Sequence, residues 1–277
     1  MTEGEIGMRR INSVLGQALA VALLACAIVR PDPGLAADGD AATVLAPSGR
    51  LRAGLYPGTP TSILPDGTDN PRGVGYAIGK EMARRLHVDY EPVVFTKNAE
   101  VLEAVRTGAV DVAFTNASAA RAKEMDFGPV YLEIELGYLV PDGSTLANAS
   151  DVDASGRKVG VTTGSTSDAT LGRELKQAAL VRSPTLKDAV ALLKGREIDA
   201  FATNKATLFE MAEQVPGSRV LDGRWGEERH AIAIPKGRDA GLDFVRAFTA
   251  EIRSSGLVST AAERAGLKGV MVPGKQP

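Results

Sequence analysis

The sequence predicts an α/β fold made of two similar lobes, and two observations support this prediction. From residue 73 onward, segments whose apolar residues recur every three or four positions alternate with short segments of period two. Strands separated by helices in this way indicate βαβ units and largely parallel sheets. In addition, an Asp followed four and five residues later by Thr-Asn occurs at residues 111–116 and again at 199–204. This faint repeat indicates that each lobe contains a similar unit.

The first lobe begins with a strand over residues 50–55, where Leu51, Ala53 and Leu55 alternate with Arg or Gly. The loop over 56–71 is dense in turn-forming residues, and such a long loop in a compact protein is usually functional. The next elements are predicted as a helix carrying Ile78, Met82 and Leu86, a strand over 88–95, a helix capped by Asn98 and ended by Gly108, and a strand over 110–115.

Residues 130–140 form the longest β-like run of the chain, and Pro141-Asp142-Gly143 ends it. A second α/β unit then opens with a strand over 158–161 and a helix that starts at Ser167. The following elements are predicted as a helix over 183–193, a strand ending near Asn204, a helix carrying Leu208 and Met211, a strand over 231–234, and closing helices over 242–252 and 257–265.

The N-terminal segment has the order of a secretory signal peptide, which we place at residues 1–37. Arg9 and Arg10 precede an apolar run over 14–29, and a stretch of small residues ends the segment. The run of about 16 residues is shorter than the ~20 that a membrane-spanning helix needs. Cys26, the single cysteine, lies within it, so no disulfide is predicted. We expect a periplasmic protein, with lipoprotein anchoring at this cysteine as the alternative.

Composition and charge argue against several functions. A net charge of −2 over 277 residues gives no basic footprint for nucleic acid. His87 and His230 lie far apart, and no cluster of Cys, His or carboxylates has metal-ligand spacing, so we expect no metal and no cofactor. The sequence shows no nucleophile–base triad and no phosphate-binding loop. These features favour a monomeric binding protein over an enzyme.

The segment over residues 110–131 carries the main functional signal. Its strand is followed by a small polar turn that places Arg121 at the head of a short helical segment, where free backbone N–H groups favour an anion. A guanidinium can hold both oxygens of a carboxylate at once. Thr115 and Asn116 lie at the carboxyl end of the same strand, which is where parallel sheets bind their ligands. The alternative is an exposed surface arginine.

Residues 116–131 resemble the pattern of family 3 periplasmic solute-binding proteins, which are ABC-transporter receptors for polar amino acids and related solutes. That family reads approximately T-x-T-x-x-R-x-x-x-x-D-F-S-x-P-Y, and this chain reads N-A-S-A-A-R-A-K-E-M-D-F-G-P-V-Y. The arginine, the Asp-Phe pair, a proline and the final aromatic match. The resemblance continues at residues 158–166, which are similar to V-G-V-x-x-G-T-T, and at 230–237, which are similar to Y-G-I-A-V-x-K-G.

The resemblance implies the type 2 periplasmic-binding fold, in which two α/β lobes are joined by two crossing strands. Lobe 1 is expected at residues 48–138 and 235–277, and lobe 2 at 139–234. A small polar solute would bind between the lobes, close them about a hinge and be delivered to the membrane permease of an ABC transporter. In the family, the loop after the first strand supplies an aromatic to the cleft. Tyr56 is the candidate here, and covering the lobe core is its alternative role.

Two further segments complete the predicted binding site. Gly164 permits close approach of a ligand to the backbone, and Ser165 and Thr166 offer hydroxyls at a helix start. Plain helix capping explains the same residues equally well. Asn116 and Asn204 occupy matching strand ends and are expected to border the cleft, unless each Thr-Asn pair only begins the next turn or helix.

The departures from the family pattern bear on the ligand. The family usually carries an aspartate at the position of Asn204, and this aspartate neutralises the ammonium of an amino acid. An asparagine lacks that charge. With Arg121 present, the sequence therefore predicts an anionic or polar carboxylate-bearing solute in preference to a zwitterionic amino acid. Asp66 or Asp69 in the first loop is the alternative source of an acid.

Two other functions remain open at this point. One is an enzyme similar to cyclohexadienyl dehydratase, with Glu133 or Glu135 as the proton donor that such a reaction needs. The other is an accessory protein of a periplasmic quinoprotein alcohol dehydrogenase, whose cleft would serve a protein partner.

Overall fold

The computed structural model describes residues 40–65, 67–268 and 270–273. The strands are β1 (Arg50–Leu55), β2 (Asp89–Val94), β3 (Val112–Asn116), β4 (Met125–Val140), β5 (Lys158–Thr162), β6 (Ala179–Ser183), β7 (Ala200–Asn204), β8 (Arg219–Val220), β9 (Gly226–Pro235) and β10 (Val270–Met271). The helices are α1 (Val74–Arg85), α2 (Asn98–Thr107), α3 (Thr166–Glu174), α4 (Leu186–Lys194), α5 (Lys205–Gln214), α6 (Leu242–Ser254) and α7 (Leu257–Arg264). The predicted signal peptide, including Cys26, lies outside the described residues.

The strands form two α/β lobes of matching topology. In the first lobe the order is β2-β1-β3-β9, and β1 pairs in parallel with both β2 and β3. In the second lobe the order is β6-β5-β7-β4, and β5 pairs in parallel with both β6 and β7. Each lobe therefore consists of three parallel strands and one antiparallel strand. The lobes thus contain similar units, as the repeat in the sequence indicated.

Two long strands cross between the lobes. β4 and β9 run antiparallel, from the pair Met125–Pro235 to the pair Leu136–Gly226. The later part of β9 pairs with β3 of the first lobe, and the later part of β4 pairs with β7 of the second. This confirms the predicted fold of two lobes joined by two crossing strands. The lobe boundaries that we drew after residues 138 and 234 stay a prediction.

Most predicted elements are found within a few residues of their expected ends, and the exceptions have local causes. β3 begins at Val112 because the N–H of Val110 still bonds to the carbonyl of Ala104 at the end of α2. The N-cap of α2 is Lys97, and Asn98 is its first helical residue. β6 was not predicted, since its short and half-exposed sequence lacks an apolar alternation. The helix that we expected from Ser183 begins at Leu186, after a Thr185 cap.

Three apolar clusters form the core. One lies in the first lobe around α1, α6 and α7, and another lies in the second lobe between β5, β7 and α3. The remaining cluster includes side chains of both lobes, such as Tyr56 and Val101 from the first and Leu186 and Phe201 from the second. The lobes therefore pack together through apolar contacts beside the polar cleft. Among the described residues, no helix has the length and apolar character needed to cross a membrane.

Candidate functional site between the lobes

A small cavity of about 80 Å³ lies where the carboxyl ends of the parallel strands of the two lobes meet. One water needs roughly 10–15 Å³ of such volume, so the cavity has room for a small molecule. Six of the eight predicted site residues line it, namely Tyr56, Thr115, Arg121, Ser165, Thr166 and Asn204. The other two, Asn116 and Gly164, contact lining residues through hydrogen bonds.

Arg121 lies at the start of a single 3₁₀ turn, Arg121–Lys123, directly after the polar turn that follows β3. Its Nη1 donates to Thr115 Oγ1 at 2.7 Å and to the carbonyl of Asn116 at 3.4 Å. Its Nη2 donates to the carbonyl of Gly164 in the other lobe at 3.4 Å. Burial lowers the pKa of Arg121, and the negative charge of Glu228 partly offsets this effect. The guanidinium is thus a desolvated cation held by neutral oxygen atoms.

Tyr56 follows β1 and reaches across to the second lobe. Its hydroxyl accepts a hydrogen bond from the backbone N–H of Leu186, the first residue of α4, at 3.1 Å. Burial raises the pKa of Tyr56, so the hydroxyl stays protonated. A second link is made by the hydroxyls of Thr59 and Thr207, which lie 2.8 Å apart. The long first loop therefore joins the two lobes beside the cavity.

The two asparagines at the matching strand ends have different roles. The Oδ1 of Asn116 accepts from the backbone N–H of Arg229 at 2.9 Å, and its Nδ2 donates across the cleft to Thr166 Oγ1 at 3.1 Å. The Oδ1 of Asn204 caps α5 by accepting from Thr207 N at 3.0 Å. Helix capping, which we had kept as an alternative, is therefore present at Asn204, while its Nδ2 remains directed to Glu228 at 3.2 Å.

The junction of β5 and α3 combines capping with a close approach of the lobes. Gly164 has φ +74°, and a Cβ placed there would lie 3.3 Å from Ala99 Cβ of the first lobe. Ser165 is the N-cap of α3, and its hydroxyl accepts from Asp168 N at 3.1 Å. Gly164 is thus required by its backbone conformation, and Ser165 is already engaged by the helix.

Glu228 is the acid of this cavity, and our sequence reasoning missed it. It lies on β9 with 8% exposure, lines the cavity and accepts from Asn204 Nδ2. Burial alone would raise the pKa of Glu228, but hydrogen bonds from His230 and Thr166 and the charges of His230 and Arg121 lower it to about 2. The cavity therefore contains an acid at a position that the sequence analysis did not consider, although Asn204 carries none.

The acids that the sequence suggested as replacements lie elsewhere. Asp69 is exposed and does not line the cavity, and Asp66 lies outside the described residues. Glu133 forms an ion pair with Arg229, and Glu135 forms one with Lys205, both away from the cavity.

His230 is buried at 5% exposure in the cavity lining. Its Nε2 lies 3.0 Å from Glu228 Oε2. A signal for both residues existed in the sequence. Glu228 and His230 share the two-residue phase of Ile232 and Ile234, which are buried, so the strand pattern places all four on one face.

The described residues offer no group of three or more His, Cys, Asp or Glu that could hold a metal ion. The cavity presents instead one partly buried cation, one buried carboxylate, one imidazole and several hydroxyls. Such a set offers contacts to a small polar molecule.

Comparison with known proteins agrees with this geometry. The family described as "Bacterial extracellular solute-binding proteins, family 3" matches residues 51–266. The ABC transporter glutamine-binding protein GlnH of Bacillus subtilis (strain 168) is 26% identical over 188 residues, which cover 66% of this chain and 68% of that protein. These relatives are solute-binding proteins.

Solved structures share the architecture. The solute receptor for L-cysteine of Neisseria gonorrhoeae matches with a TM-score of 0.73 and 25% identity, covering 82% of this chain and 93% of that one. The ancestral amino acid-binding protein AncCDT-1, a precursor of cyclohexadienyl dehydratase, shares the fold with a TM-score of 0.69 and 22% identity, covering 79% and 96%. The fold is thus of the type 2 periplasmic-binding kind, and, since the family pattern spans most of the sequence, the chain belongs to the family 3 extracellular solute-binding proteins of bacteria.

Proposed function

We propose that this protein is an amino-acid receptor of an ABC transporter, working outside the cytoplasm as a single chain. It would capture one zwitterionic amino acid between its lobes and present it to the membrane permease. The observation that carries the proposal is the presence of two groups of opposite charge, the partly buried Arg121 and the buried Glu228, in the lining of one small cavity. The family's description as extracellular and the amino-acid-binding relatives support it.

Arg121 is the proposed partner of the ligand carboxylate. Its guanidinium is bonded to neutral oxygens, so the approach of an anion adds a charge-assisted and bidentate contact to a cation that is already desolvated. Thr115 and the N-terminus of α3, with Ser165 and Thr166, border the same place and can add neutral donors.

Glu228 is the proposed partner of the ligand ammonium. Because its pKa is about 2, the group is ionised at neutral pH and can neutralise a cation. This replaces our prediction that an anionic or polar carboxylate-bearing solute is preferred over a zwitterionic amino acid, which assumed that the acid had been lost at Asn204. It also disfavours a dehydratase that uses this acid, since an ionised carboxylate has no proton to donate.

Closure of the lobes would couple binding to transport. Hydrogen bonds between the lobes run from Tyr56, Thr59, Asn116 and Arg121 of the first lobe to the second. A ligand held by Arg121 and by Glu228 would add to these contacts and favour the closed arrangement. We propose that the permease recognises this arrangement, with β4 and β9 as the hinge.

The test is a matrix of variants against ligand analogues. Isothermal titration of the purified protein with the twenty amino acids identifies the best ligand, which is then compared with its carboxamide and its deamino analogue. We expect Arg121→Ala and Glu228→Gln each to weaken binding by at least about 10-fold, because each removes a charged contact. Arg121→Ala should bind the amino acid and its carboxamide with similar affinity. Glu228→Gln should bind the amino acid and its deamino analogue with similar affinity.

Arg106→Ala, which changes an exposed arginine of α2 outside the cavity, is the matched control and should bind like the wild type. The proposal fails if no amino acid binds, or if both cavity variants keep wild-type affinity.

A further inference from the structure

Two residues of the cavity lining carry a buried side-chain atom without a hydrogen-bond partner among residues 40–65, 67–268 and 270–273. These atoms are His230 Nδ1 and Thr162 Oγ1. Buried polar atoms in folded proteins nearly always have a partner, so each such atom needs an explanation. The threonine hydroxyl can donate or accept and therefore selects little. The imidazole nitrogen is either a donor or an acceptor, and its neighbours decide which.

A chain of hydrogen bonds orients the imidazole. The backbone N–H of Thr207 can only donate, and it donates to Asn204 Oδ1, which leaves Asn204 Nδ2 facing Glu228 Oε2. This Nδ2 is also a donor, so the carboxylate oxygen accepts from it. The ring nitrogen Nε2 lies 3.0 Å from the same carboxylate oxygen, and the imidazole N–H donates to it. His230 Nε2 therefore carries the proton, and in the neutral ring Nδ1 is a bare acceptor.

We propose that His230 Nδ1 is a specificity determinant that accepts a hydrogen bond from the side chain of the bound amino acid. The substrate class is thereby narrowed to amino acids whose side chain ends in a hydrogen-bond donor, such as a primary amide or a hydroxyl. This rests on the proposed function, since Arg121 and Glu228 must first hold the two ends of the amino acid.

The same geometry rejects an acidic side chain. A carboxylate at this place would face the lone pair of Nδ1, with the negative charge of Glu228 bonded to the far side of the ring. Neither group could donate to it, and its desolvation would not be offset. An amide and its isosteric carboxylate differ little in shape, so the difference in affinity reports this contact.

The experiment compares glutamine with glutamate, asparagine with aspartate, and serine with alanine. Titrations are run at pH 8.5, which favours the neutral form of an imidazole. In at least one of these pairs, we expect the wild type to bind the amino acid whose side chain carries a donor about 10-fold or more tightly than the amino acid that lacks one. The reason is that an unmade buried hydrogen bond costs roughly 1–3 kcal/mol.

Two substitutions of His230 separate the ring atoms. His230→Gln keeps an N–H near the Nε2 position for Glu228 and removes the acceptor at the Nδ1 position. The ratio of affinities within each pair should therefore fall towards 1, while amino acids still bind. His230→Asn keeps an oxygen near the Nδ1 position and should retain the preference. Tyr90→Phe, which removes another buried hydroxyl without a described partner but lies outside the cavity lining, should leave the preference unchanged.

The outcomes separate the two proposals. Binding of amides and acids within 3-fold of each other, binding only of apolar amino acids, or an unchanged preference in His230→Gln overturns the role of His230 while the receptor function stands. Absence of binding by every amino acid overturns both. A preference for the donor that His230→Gln abolishes and His230→Asn retains supports the assignment, and thermal unfolding of each variant shows whether it is folded.

Discussion

Residues 111–116 of the first lobe and 199–204 of the second begin alike and end differently. At the start of each segment an aspartate bonds back to the neighbouring strand. The N–H of Asp111 donates to the carbonyl of Arg52, and the N–H of Arg52 donates to the carboxylate of Asp111. The same reciprocal pair joins Asp199 with Lys158. This shared contact sets the register of a strand against its neighbour in each lobe.

The far ends of the two segments differ because their surroundings differ. Asn116 is followed by a turn, and it accepts a hydrogen bond from β9 while its amide N–H reaches the second lobe. Asn204 is followed at once by α5, so its side chain caps that helix and holds Glu228. The two segments thus share a scaffold contact and differ at the end that borders the cavity. The first lobe brings the cation to the cavity, and a crossing strand brings the acid.

The largest expected effect concerns the shared aspartates, because only one of them is fully buried. The Asp111 side chain is 0% exposed and is bonded by Arg52 and Arg238, whereas that of Asp199 is 33% exposed and faces Arg157. We expect Asp111→Asn to lower the free energy of unfolding by about 3 kcal/mol, since it breaks a buried ion pair. Asp199→Asn should cost no more than about 1 kcal/mol. Urea unfolding at pH 7 measures both.

Acid titration sharpens this comparison. Burial would raise the pKa of Asp111, but hydrogen bonds from Arg52 and Arg238 bring it below the ordinary value. Its contribution to stability is therefore present above the unfolded pKa and is lost as the pH falls through the lower, folded one. The difference in the free energy of unfolding between Asp111→Asn and the wild type should therefore shrink as the pH falls below about 4. If Asp111→Asn and Asp199→Asn lowered the free energy of unfolding equally at pH 7, burial would not explain a difference between the two aspartates.

The second prediction restores the family's residue at the other end of the repeat. Asn204→Asp keeps a good helix cap, because Asp and Asn cap equally well. It also places a second carboxylate where Asn204 Nδ2 now lies 3.2 Å from Glu228 Oε2. Two carboxylates at this distance raise the pKa of one of them, so at pH 7 the variant should be less stable by about 1–3 kcal/mol.

The pH dependence distinguishes charge repulsion from a lost cap. The raised pKa of the new acid means that its destabilising effect is absent at low pH and appears as the pH rises through that pKa. The destabilisation of Asn204→Asp should therefore be small near pH 4 and grow towards pH 8. The double variant Asn204→Asp/Glu228→Gln removes the repulsion and should lose this pH dependence. If the loss of stability in Asn204→Asp did not depend on pH, its cause would be damage to the N-cap of α5 instead.

The elements that were predictable are those whose pattern is local. The strand over 50–55 and the helix ended by Gly108 carry their own periodicity and stop signals, and both are found as predicted. Arg121 was identified because a whole motif surrounds it. β6 could not be predicted, because its short sequence, in which only Ser183 is buried, lacks an apolar alternation.

Glu228 and His230 show why the site was only partly predicted. A charged residue in a short polar stretch is usually exposed, so Glu228 gave no functional signal by composition. Its burial follows from β9 continuing between the lobes as one strand, which places both residues in phase with buried isoleucines. Its low pKa follows from groups on other elements, including Arg121 and Thr166. Sequence reasoning compared Asn204 with the family aspartate and did not consider an acid from another strand.

The smallest effect tests the contact by which Asn116 differs from Asn204. The hydrogen bond from Asn116 Nδ2 to Thr166 Oγ1 joins the lobes at 3.1 Å. In a double-mutant cycle of Asn116→Ala and Thr166→Val, we expect a coupling of about 0.5–1 kcal/mol in the free energy of unfolding, as for a neutral hydrogen bond. The corresponding cycle of Asn204→Ala with Thr166→Val should show less coupling, because Asn204 bonds within its own lobe and to Glu228. If both cycles gave the same coupling, the two asparagines would be energetically equivalent, and the division between a bridging and a capping residue would be wrong.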